Sequence, residues 1–114
     1  PMSDHIRIRT APGTWVVRAG DSILGESTAV QELSEGSYAP VMYFPRADIA
    51  MAMLDRSDRV TSCPWKGEAS YFSIVTPAGK MADAVWSYET PKPACEAIAG
   101  HLAFYTDRVT IERV

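Results

Sequence analysis

Residues 61–76, TSCPWKGEASYFSIVT, decide how the chain is read. Their Tyr, Phe, Ile, Val and Thr are the residues of a β-strand, yet Cys63-Pro64-Trp65-Lys66-Gly67 interrupts the run. Proline cannot donate to a central ladder, so it sits at the edge, end or bulge of a strand. The pentapeptide is therefore expected to form a bulge or corner where the sheet bends. Gly67 would supply a positive φ or a close backbone approach. Bulges re-aim side chains, and this one would turn Lys66 or Glu68 inward.

The pattern on either side is also β. HIRIRT (5–10) alternates, with Ile6 and Ile8 on one face. After the turn APG comes a second strand, TWVVRAG (14–20). SILGESTAVQEL (22–33) is read as a strand between close turn signals, although STAVQEL alone would pass for helix. EGSYAP is a loop and VMYF (41–44) a short buried strand. PRADIAMAMLDRSD (45–58) predicts a helix. Pro45 suits its first turn, Asp48 and Arg56 suit its dipole, and Ile49, Ala52 and Met53 would pack on a sheet. PAGK makes a hairpin turn, and MADAVWSYE (81–89) returns with Ala84, Trp86 and Tyr88 on one face. TPKPACEAIAG (90–100) predicts a second short helix closed by Gly100. HLAFY and VTIERV are strands joined by TDR. The expected fold is mainly β: one bent or barrel-like antiparallel domain spanning residues 1–114, with two short α-helices.

Composition narrows the function classes. The 114 residues are 46% hydrophobic with a net charge of −3, enough for a core without staples. Without a basic run, nucleic acid is not an expected partner. No apolar window approaches a membrane span, and PMSDHIRIRT lacks the apolar core of a secretory signal. Pro1, ahead of Met2, is not counted as part of the fold. Two cysteines, Cys63 and Cys95, are too few for a disulfide framework and read as reduced thiols in a cytoplasmic protein.

YFPRADI, CPWKGEASYFSI and AVWSYETPKPACEAIAGHLAFYTDRVTI, in this order and spacing, together resemble the bacterial domain of unknown function DUF427. LGES (24–27) is similar to a further block of that family. The resemblance implies a β-tent fold akin to Mss4-like domains, whose members often bind zinc through paired CxxC motifs. This chain has no CxxC, so neither structural zinc nor another cofactor is expected. The family has also been labelled nucleotidyltransferase-like. That chemistry needs carboxylates for Mg²⁺. EGSY supplies Gly36-Ser37, but neither an Asp-x-Asp nor a glycine-rich phosphate loop follows.

Within these blocks several residues can carry chemistry. Cys63 with Lys66 beside it could be a nucleophile; alternatively Cys63 is a small buried hydrophobe ending a strand. Trp86 and Tyr88, faced by Tyr71 or Phe72, would form an aromatic wall for a planar ligand, or an ordinary core face. His101 could move a proton or merely begin a strand. Glu26, if inward, needs a cation such as Lys66 or Arg46; Arg46 could bind an anion or lie on a surface helix. Three readings follow: a binder of a small molecule through Glu26, Arg46, Lys66, Trp86 and Tyr88; a small enzyme using Cys63 and Lys66 with Glu26 or His101; or a module that homodimerises through a strand edge.

Overall fold

A computed structural model describes residues 5–114; the reading of Pro1 falls outside them. Among the described residues, ten strands form three antiparallel sheets. β1 (Ile6–Thr10), β4 (Gln31–Glu35) and β5 (Val41–Tyr43) make the first, in the order β1-β4-β5. β2 (Trp15–Ala19), β3 (Ser22–Ser27) and β10 (Thr110–Arg113) make the second, in the order β10-β2-β3. β6 (Leu54–Cys63), β7 (Gly67–Thr76), β8 (Gly79–Ser87) and β9 (Ala103–Phe104) make the third, in that order. The mainly β antiparallel class is as expected.

β7 organises the packing. Its side chains alternate between two cores, as the two-residue period of a strand requires. Phe72 and Ile74 join Val17, Leu24 and Val85 on one side. Ala69 and Tyr71 join Leu33, Tyr43 and Ile98 on the other. Tyr71 lies opposite Trp86, and Phe72 opposite Val85. Of the two residues considered as partners for Trp86, only Tyr71 shares its face. Ala84 does not: it packs in the other core. The β7–β8 register shifts between Phe72 and Ile74. Across from that break, Asp83 takes a positive φ of 52° and donates its N–H to Ser73 Oγ at 3.2 Å.

Both expected α-helices are absent. Residues 46–48 and 51–53 are single 3₁₀ turns separated by extended Ile49. Ile49 bridges to Gly25, and Ala50 N–H donates to Leu24 C=O at 2.7 Å. The edge of β3 thus captures a segment whose helix propensity is only a weak preference. From Leu54 the chain continues as β6, a strand ten residues long. The second helix is a 3₁₀ segment, Pro93–Ile98, broken at Cys95, where ψ is 20°. The expected single strand over 22–33 is two, β3 and β4, with Val30 buried between them.

The Cys63–Gly67 interruption is a turn rather than a bulge within one strand. Cys63 ends β6, Gly67 starts β7, and the two residues pair. Pro64-Trp65-Lys66 is the loop of this hairpin, and Gly67 has a φ of 111°. That region is closed to residues with a Cβ. Gly67→Ala should therefore lower stability by about 1–3 kcal/mol, measured as a shift in the urea midpoint at constant m-value. An unchanged midpoint would show that the turn does not need this backbone conformation.

Candidate functional site

The hairpin tip is held from three directions. Trp65 meets the His5 ring edge-on, with centroids 5.4 Å apart. Lys66 C=O accepts from Lys92 N–H at 2.9 Å. Lys66 itself turns inward, only 9% exposed, and its Nζ donates to Glu35 Oε1 at 2.6 Å. The other Glu35 oxygen lies 3.3 Å from His5 Nε2. Glu35, the last residue of β4, thus ties the first sheet to the hairpin of the third. The hydrogen bond from Lys66 pulls the Glu35 carboxyl below its ordinary value of 4.5, against the opposing effect of burial. Burial disfavours the Lys66 ammonium, but Glu35 and the adjoining Cys63 thiol outweigh it and hold the amine above its ordinary 10.5.

This pair forms one wall of a cavity of about 320 Å³. The chain has five tyrosines, and all of them, Tyr38, Tyr43, Tyr71, Tyr88 and Tyr105, line it. They come from different places: the β4–β5 loop, β5, β7, the exit of β8 and the exit of β9. Trp86 completes the aromatic wall. Its Nε1–H donates to Tyr43 Oη at 3.3 Å, and its ring lies 4.7 Å from that of Tyr105. Lys66 Nζ stands 5.9 Å from the Tyr88 ring centroid, within range of a cation–π contact. Tyr71 Oη and Thr61 Oγ1 are 3.0 Å apart. Burial is the first cause that raises the pKa values of Tyr43, Tyr88 and Tyr105. Their phenols stay protonated at neutral pH, as hydroxyls able to donate or accept hydrogen bonds.

The structure therefore brings Lys66, Trp86 and Tyr88 together and adds Glu35 as the carboxylate. Cys63 packs against the same core as the cavity's buried tyrosines and acts electrostatically on Lys66, but it does not line the cavity. Glu26 does not line it either. It is exposed on β3, opposite Val16, and the carboxylate on Lys66 is Glu35 instead. Arg46 donates to Gly100 C=O at 3.0 Å and to Glu89 Oε2 at 3.0 Å. Arg56 shares that carboxylate in a fork, at 2.8 and 3.1 Å, and both guanidiniums lie over Phe72. The two arginines draw the Glu89 carboxyl down, Arg56 most strongly. Arg46 thus serves a cluster on the opposite face of β7 from the cavity. His101 Nδ1 lies 3.1 Å from Ala99 C=O, also outside the cavity. Glu68 is exposed. Cys95 is fully buried, and burial raises its thiol pKa. Among the described residues, no group of three or more His, Cys, Asp or Glu could hold a metal ion.

Fold and site together define a small antiparallel β domain with a tyrosine-lined cavity bordered on one side by an ion pair. The family model described as a domain of unknown function, DUF427, matches residues 7–114, and the chain belongs to that family. No curated protein matches it.

Both pKa shifts favour the charged pair in the folded state. The Glu35 contribution is present above about pH 4.5 and is lost as pH falls through its lowered folded value. The Lys66 contribution is present below about pH 10.5 and is lost as pH rises through its raised folded value. Lys66→Met should cost about 1–2 kcal/mol at neutral pH, less than the 3–5 typical of a fully buried pair, because the Glu35 side chain is 23% exposed. The deficit should shrink in acid once Glu35 is protonated. Urea titrations of both proteins from pH 3 to 8 check this; a gap independent of pH would remove the ion pair as its source.

Proposed function

We propose that the domain binds a small, flat, hydroxylated and uncharged organic molecule in the tyrosine cavity. The observation that carries this reading is the convergence of all five tyrosines with Trp86 on one cavity. Aromatic faces give a ring-shaped ligand large apolar contact, while the phenol groups and the free lone pairs of Glu35 fix its orientation. The 2.6 Å contact to Glu35 already neutralises Lys66, so the site favours neutral ligands over anions. A volume near 320 Å³ suits one or two rings.

Saturation-transfer NMR with phenol, catechol, resorcinol and their carboxylated counterparts tests it. The neutral rings should bind and compete with one another, and the carboxylates should bind more weakly. Tyr88→Phe, which removes one hydroxyl, should weaken catechol by about 3–10-fold, the equivalent of one hydrogen bond. If no ring binds, or if the carboxylates bind best, the proposal fails.

One electrostatic neighbour favours a second reading, covalent chemistry at Cys63. Its sulfur helps to hold the Lys66 ammonium in its charged form and packs against the core of the cavity's tyrosines, whereas Cys95 is sealed in the core. If Lys66 assists the thiol, iodoacetamide should label Cys63 at neutral pH more slowly in the Lys66→Met variant. Equal rates would mark Cys63 as a packing residue.

A further inference from the structure

A second cavity, of about 370 Å³, adjoins the first. The two share Ala39, Val41, Trp86 and Tyr105. Their chemistry differs sharply. The ion pair and four of the five tyrosines line only the first. The second is walled by Trp15, Pro40, Met42, Phe104, Thr106 and Ile111, and among the described residues no charged side chain lines it. Trp86 and Tyr105, 4.7 Å apart, form the partition. The indole is fixed on the polar side by its hydrogen bond to Tyr43. A molecule lying across this partition would meet hydrogen-bonding groups at one end and only apolar surface at the other.

Resting on the reading above, we infer that the ligand is amphiphilic: a hydroxylated ring held by the tyrosines and Glu35, carrying an aliphatic chain that crosses the Trp86–Tyr105 partition into the second cavity. The first cavity supplies recognition of the head. The second supplies affinity that grows with the length of the tail, because each buried methylene contributes a nearly constant increment. Ala39 and Val41 line both cavities beside the partition, and the chain would run along them.

Isothermal titration calorimetry with a 4-alkylphenol series, from phenol to 4-pentylphenol, tests this in the full chain. Affinity should rise roughly fourfold per methylene. Ile111→Lys, which places a charge in the second cavity, should flatten that rise while leaving the affinity for phenol itself unchanged. Ile111 packs against the core, so Thr106→Phe, which sets a bulky ring on the wall of the second cavity from an exposed position, gives the same readout with little demand on folding. If phenol binds but chain length adds nothing, the amphiphile inference is overturned and the tyrosine cavity stands. A rise that both variants leave intact also overturns it, because the chain then lies elsewhere. If neither phenol nor its alkyl derivatives bind, both readings fall.

Discussion

The structure depends on one strand being covered on both faces. β7 puts Phe72 and Ile74 into one core and Ala69 and Tyr71 into the other. A shift of one residue would exchange these sets, burying Tyr71 among aliphatics and removing a wall of the cavity. The register is pinned at both ends: by the Cys63–Gly67 pairing at the tight hairpin and by Thr76 opposite Gly79 at the next turn. Between them the break opposite Asp83 absorbs the mismatch. The cavity is thus a consequence of the packing of β7.

The ion pair has a different task. Lys66 and Glu35 are 31 residues apart and belong to different sheets, so their contact fixes how the first sheet sits against the hairpin of the third. Burying such a pair gives little net stability, and an apolar contact of similar volume could join the sheets as well. What an apolar contact could not give is a carboxylate and an ammonium, already mutually neutralised, at the edge of a ring of phenols. The Arg46–Glu89–Arg56 cluster on the far side of β7 shows the contrast: there the charges lie over Phe72 and are partly exposed.

Much of this could be read from the residues. Strand alternation located β1, β2, β7 and β8, and the CPWKG interruption marked the point where Lys66 turns inward. Proline and glycine also showed that pairing had to stop there, but they do not by themselves distinguish a bulge from a turn, and the observed loop is the three-residue turn. The two helices were misread because PRADIAMAML and PACEAIA have helical composition, whereas the edge of β3 and the break at Cys95 are tertiary events. Within the cavity, Trp86 and Tyr88 were visible as one face of a strand. Glu35 and Tyr38 are the first and last residues of EGSY, which reads only as a loop, and nothing local links them to Lys66. Glu26 stands in a strand block, but a strand's two-residue period decides only that one face is buried, not which face. Five tyrosines scattered over five segments become a site only when the chain is folded.

The pairing of β10 with β2 sets an order on assembly. Arg18 lies opposite Thr110, and its Nε and Nη2 both donate to Glu112 Oε1. Without β10, β2 has one edge unpaired, and a two-stranded hairpin by itself is only marginally stable. Closing a loop over such a separation is slow. Burial of Val17 and Leu24 is therefore tied to a contact between residues 94 positions apart, Arg18 and Glu112, so the second sheet forms with the whole domain rather than ahead of it.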